Sequence, residues 1–174
     1  MSDLPVPVKV DPETGIWTVD GQPMVLVPRH FWAFIQMECE KRFGVEATGA
    51  VFHEATYKAA KVWCAREAKT HGLIGVEVFR HYLRRVSNRG FGRFTIEAVD
   101  PEKGTASIRL DNSVYVAEYG RNAGRRVCYV FTAAFVGGME YVAETAGREL
   151  KLMAEEVQCG AEGADHCRFV VRPA

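Results

Sequence analysis

The sequence predicts an α+β domain, an antiparallel sheet with helices packed on it, on three observations. Short β-branched runs come in pairs joined by turns rich in Asp, Pro and Gly, the mark of antiparallel pairing. Between the pairs lie stretches with helical spacing and helix-favouring composition. The order is hairpin, helices, hairpin, helix, hairpin, which gathers the strands instead of alternating them singly with helices.

The first hairpin joins residues 6–10 to 16–19 across Asp11, Pro12 and Gly15, and a second turn at Asp20-Gly21 leads into 24–27. Pro28 suits the first position of a helix, where its missing N–H costs nothing. That helix is expected to reach residue 42, with Phe31, Trp32, Ile35, Cys39 and Phe43 at helical spacing. Gly44 interrupts it. Residues 47–69, rich in Ala, Lys and Glu, form the next helix, and 75–86 a third after Gly72. The period then changes to two: 91–99 and 105–110 read as strands about a turn at 100–104. After a connection ending at Gly124, residues 127–146 read as a long apolar helix capped by Gly147. The last two strands, 150–158 and 167–171, flank a glycine-containing turn at 160–165. No repeat, low-complexity tract or linker divides the chain, so 1–174 is read as one domain. Within it, 1–45 is a possible dimerisation element and 46–174 the core with its C-terminal hairpin.

Composition narrows the function. A chain of 174 residues with 48% hydrophobic and 25% charged residues can bury a real core. Lys plus Arg number 22 and so do Asp plus Glu, and this neutrality argues against general nucleic-acid binding. No apolar run approaches the roughly 20 residues of a bilayer crossing. The start lacks the basic and apolar segments of a signal peptide, so a cytoplasmic location is expected. Five cysteines, an odd number in such a chain, argue against a disulfide framework and leave buried thiols or a metal site.

The most informative stretch runs from Glu156 through Cys159, Gly160 and Gly163 to Cys167. Two thiols flanking a glycine turn can converge at the open end of a hairpin, where thiolates with a carboxylate or His suit tetrahedral zinc. Glu156 can reach round the strand end, and Cys128 could supply a fourth ligand from the preceding element. The alternative is a pair of buried apolar thiols. The pattern Glu-x-x-Cys-x-x-x-Gly-x-x-x-Cys before an apolar strand resembles the C-terminal signature of the 4-vinyl reductase (hydrocarbon-binding) domain family. The longer likeness is to the sensor domains of phenol- and xylene-responsive transcription activators. It is carried also by residues 16–27 and 43–52, Arg80-His-Tyr-Leu83, Gly92-Arg-Phe94 and Val127-Cys-Tyr129.

That resemblance implies a ligand-binding fold of the kind shared by 4-vinyl reductase, NO-signalling and Golgi-transport domains, commonly dimeric. It implies a structural zinc held by Cys128, Glu156, Cys159 and Cys167. Cys128 lies further from Glu156 than the sensors' pattern has it, so it is either a ligand or a core thiol with another group in its place. In the sensors a histidine and a tryptophan hold the phenolic hydroxyl; His81 matches the first, but Leu110 stands at the second, which argues against phenol. The helix after Cys128 carries Phe131, Phe135, Gly137 and Gly138, either close packing or a pocket wall. Trp32, Phe52, Tyr57, Trp63, Phe79 and Phe94 are expected in the core. Arg80, Arg84, Arg85, Arg89 and Arg93 form a basic run, read either as a solvated face or as a lure for a carboxylate-bearing effector.

The leading expectation is a stand-alone small-molecule sensor domain, a homodimer that signals through a protein partner and touches neither nucleic acid nor membrane. No G-x-G-x-x-G fingerprint and no nucleophile with its base supports an enzyme. The family's name keeps a reductase acting on a vinyl or tetrapyrrole substrate as an alternative. The likeness to vesicle-tethering subunits adds a non-catalytic adaptor.

Overall fold

A computed structural model describes residues 6–174 of the chain. Strands β1 (Val8–Val10), β2 (Trp17–Val19) and β3 (Gln22–Met24) form a three-stranded antiparallel meander of their own. At its second turn Asp20 and Gly21 both take positive φ, 51° and 75°, as the tightest hairpin turns require. Helices α1 (His30–Phe43), α2 (Val45–His71) and α3 (Val76–Asn88) follow. The second sheet begins with β4 (Arg93–Asp100) and β5 (Thr105–Asp111), passes through α4 (Val114–Tyr119) and α5 (Val130–Thr145), and ends with β6 (Leu152–Gln158) and β7 (Cys167–Pro173). Its order is β4-β5-β7-β6, antiparallel throughout, so the last strand is inserted between two earlier ones.

The α+β fold is as expected, and the long elements fall within a few residues of their expected bounds. Two features differ. The N-terminal hairpin stays apart from the main sheet, because its strands are only three residues long and end in turns. Helix α4 was expected as plain connection; at six residues it is too short for a periodic signal, and only the Ser113 cap, which accepts the Tyr115 N–H, announces it.

Helix α5 is buried nearly all round, with α2 along one side and α3, β6 and β7 on the others. Its two adjacent glycines are explained by that crowding. A Cβ on Gly137 would stand 2.7 Å from the Tyr57 carbonyl oxygen of α2, and one on Gly138 2.9 Å from the Phe79 ring of α3. Phe131 and Phe135 meet Phe94, Tyr115 and Phe169 edge to face, with ring centroids 5.1–6.4 Å apart.

Helix α1 reverses the usual arrangement. Its inner stripe is Ala33, Gln36 and Glu40: the Gln36 amide donates to the Val127 carbonyl, and Glu40 accepts from Tyr119 and Tyr129 and pairs with Arg125. Phe31, Trp32, Phe34 and Phe43 therefore face outward, 40–63% exposed. Burial of Trp32 in the core is thus corrected, because polar side chains already fill the inner face. Among the described residues, no helix is long and apolar enough to cross a membrane.

Candidate functional site

Cys128, Glu156, Cys159 and Cys167 come together, all buried, with their donor atoms within 4.8 Å of one another. Local structure explains how. On an unbroken strand Glu156 and Cys159, three residues apart, would point to opposite faces. The register of β6 against β7 shifts between Glu156 and Gln158, and this bulge turns Cys159 back to the side of Glu156. Cys159 then opens the 3₁₀ turn Gly160–Glu162, and Cys167 is the first residue of β7. A side chain at Gly160 would press on Val116, 3.2 Å away, so this turn must lie close against α4. Cys128 enters from the segment before α5.

The sulfur of Cys167 lies 3.7 Å from that of Cys128 and 3.8 Å from that of Cys159. A tetrahedron with metal–sulfur arms of about 2.3 Å has edges of about 3.8 Å. Each sulfur also has an outer neighbour. Gly160 N–H donates to Cys167, Ala161 N–H to Cys159, and Ser113 Oγ stands 3.0 Å from Cys128. Glu156 Oε2 accepts the Cys128 N–H at 2.9 Å, whereas Oε1 is buried and accepts nothing. An orphaned carboxylate oxygen among three thiols is the donor set a divalent ion requires. Burial pushes the Glu156 carboxyl up to about 9, while thiol donation from Cys128 and Cys167 draws Cys159 down.

The other predicted site residues lie elsewhere. His81 sits on α3, buried, with Nε2 2.7 Å from Glu67 Oε2 and Nδ1 3.0 Å from the Arg84 guanidinium. Phe131 and Phe135 lie in the aromatic cluster, and Gly137 and Gly138 at the helix contacts already described. A hollow of about 410 Å³, which His81 does not line, opens between α3 and β4, with Leu83, Phe94 and Ile96 among its apolar lining and Arg80, Arg84 and Arg93 as its cations. Phe94 joins this hollow to the cluster of Phe131 and Phe135. The basic run does not form one solvated face. Arg85 turns inward to Asp20, and Arg89 lies 4.2 Å over the Trp63 ring. Sequence reasoning missed Glu67 and His71, which lie against His81, and Asp20, which meets His71 and Arg85. The acid–histidine spacing of four on α2 was the available signal for the first two.

A family model described as a domain of unknown function (DUF5943) matches residues 3–97, just over half of the chain. The chain belongs to that family. The DUF5943 match ends within β4, so it includes His81 and the hollow's α3 wall but not the cysteine centre. Among curated proteins no sequence matches. The fold is similar to that of the phenol-responsive sensory domain of the transcription activator PoxR, crystallised with phenol. That similarity has a TM-score of 0.77 at 15% identity and covers 95% of this chain and 84% of that one. A trafficking protein particle complex subunit 3 from Naegleria fowleri, covalently bound to palmitic acid, matches at 0.57 and 14%, covering 84% and 95%. A vinyl-4-reductase family protein from Methanocaldococcus jannaschii matches at 0.55 and 15%, covering 87% and 84%. The resemblance read from the C-terminal signature thus holds at the level of fold.

Proposed function

We propose that this protein is a small-molecule sensor domain that takes an apolar organic acid in the α3–β4 hollow and is stiffened by a structural zinc at the cysteine centre. The observation that carries the reading is the likeness to a phenol-responsive sensory domain over nearly the whole chain, joined to a hollow of ligand size between α3 and β4. The ligand's chemistry follows from the lining. Leu83, Phe94 and Ile96 suit a ring or short hydrocarbon, and the guanidinium groups of Arg80, Arg84 and Arg93 suit a carboxylate. Both nitrogens of His81 are engaged and Leu110 stands where the sensors carry tryptophan, which favours an acid over phenol.

Cys128, Glu156, Cys159 and Cys167 would hold the zinc, and four protein ligands make such a site structural instead of catalytic. The apolar outer face of α1 supports a homodimer, since a second copy covers Phe31, Phe34 and Phe43 most economically. Binding would then be transmitted through dimer geometry to a protein partner.

Native mass spectrometry with elemental analysis tests metal and oligomer together. We expect a dimer with one zinc per chain in the thiol centre. Thermal-shift assays with benzoate, phenol and toluene test the ligand class. Benzoate should stabilise the protein most, and Arg84→Ala should abolish that shift. Flat profiles for benzoate in a folded dimer would overturn the ligand reading, and metal-free protein the zinc reading.

A further inference from the structure

We propose that Glu67, His71 and His81, joined by Asp20, form a second divalent-metal site, separate from the cysteine centre. Glu67 and His71 are four residues apart on α2 and so share one face. His81 meets them from α3, and Asp20 from the turn between β2 and β3. The donor atoms of Glu67, His71 and His81 lie within 4.8 Å of one another. His71 Nε2 stands 3.5 Å from both Glu67 Oε2 and Asp20 Oδ2. The carboxylates of Glu67 and Asp20 are 1% and 7% exposed, so their charge has to be met by neighbouring groups. Two imidazoles with one or two carboxylates suit zinc, cobalt(II), nickel(II) or iron(II). His71 remains partly exposed and gives an ion its way in.

Arginines now occupy the places an ion would need. Arg85 Nη2 stands 2.7 Å from Asp20 Oδ2, its Nε 3.8 Å from Glu67 Oε2 and 3.3 Å from His81 Nε2. The Arg84 guanidinium stands 3.0 Å from His81 Nδ1, and His81 Nε2 lies between Glu67 Oε2 and the Arg85 Nε–H. Gln22 donates to the other Glu67 oxygen and can stay. Metal binding needs the Nε2 lone pair of His81, so the ring proton then sits on Nδ1 and Arg84 turns out to solvent. Arg85, its side chain 13% exposed, leaves the gap, and its charge is replaced by that of the ion. Arg85 is therefore a built-in competitor for the site.

Cobalt(II) titration followed by absorbance and calorimetry distinguishes the two centres, because thiolate ligation gives an intense near-ultraviolet charge-transfer band and nitrogen–oxygen ligation does not. In the Cys159→Ser/Cys167→Ser variant we expect that band to vanish while one cobalt per chain still binds. Adding His71→Ala should remove this ion, and Arg85→Ala should tighten it about tenfold as the competing charge leaves. Should the thiol variant fail to fold, the unmodified protein and its His71→Ala variant serve, with two ions expected against one. Cobalt uptake that is indifferent to His71, in either background, overturns the proposal whatever the thiol band shows.

Discussion

The two buried polar clusters are built on opposite principles. At the C-terminal end the Cys167 sulfur stands 3.7 and 3.8 Å from the other two, each sulfur has an outer neighbour, and a carboxylate oxygen lacks a partner. Between the N-terminal meander and helices α2 and α3, nitrogen and oxygen donors stand closer, 2.7–3.5 Å apart, and already pair with one another and with a guanidinium. A third polar site sets the scale. Glu40, its side chain only 6% exposed, is satisfied by two tyrosine hydroxyls and Arg125 and has no use for an ion. Buried charge must be neutralised, and the chain does so by clustering a carboxyl with thiols, by an arginine ion pair, or by hydrogen bonds from tyrosines and an arginine.

The largest expected effect sharpens this contrast at the thiol end. In metal-loaded protein, Cys167→Ser should cost about 5 kcal/mol, because a buried closed site loses a ligand and its ion together. That corresponds to roughly 10–20 °C in melting temperature for a chain of this size. The half-buried Cys39→Ser is the control, and equal melting of the two variants would break the comparison. Next comes Glu67→Gln, expected to cost about 3 kcal/mol by leaving Arg85 with one carboxylate where it had two. Denaturant midpoints measure this, and a loss no greater than that of an exposed pair such as Lys58–Glu54 would show that Arg85 does not depend on Glu67.

The smallest effect is Glu40→Gln, about 1–2 kcal/mol near neutral pH. Burial pushes the Glu40 carboxyl up, but hydrogen bonds from Arg125, Tyr119 and Tyr129 outweigh it and hold the group below its ordinary value of 4.5. The stabilisation is therefore present above that value and lost as the pH falls through the lower folded value. Melting curves of parent and variant should converge in acid; a gap that persists there would show that Glu40 acts by shape instead of charge.

Much of this was legible in order along the chain. Period, turn residues and glycine punctuation located every long element, because those signals are local. Glu156, Cys159 and Cys167 were legible together since one hairpin carries all three. The adjacent glycines of α5 signalled a close approach, and the approaching atoms proved to be the Tyr57 carbonyl and the Phe79 ring. Trp32 misled, because helical spacing marks a stripe without saying which stripe faces inward.

By itself the amino-acid sequence determined the α+β class, the positions of helices and hairpins, and the thiol-bearing turn, since each depends on neighbours within a few residues. Only the tertiary structure decided that Cys128 joins that turn, that α1 shows its apolar face to solvent, and that Asp20 and Arg85 meet beside two histidines. Those outcomes depend on which surfaces pack together, and packing joins side chains far apart in sequence through the burial of apolar area and the neutralisation of buried charge.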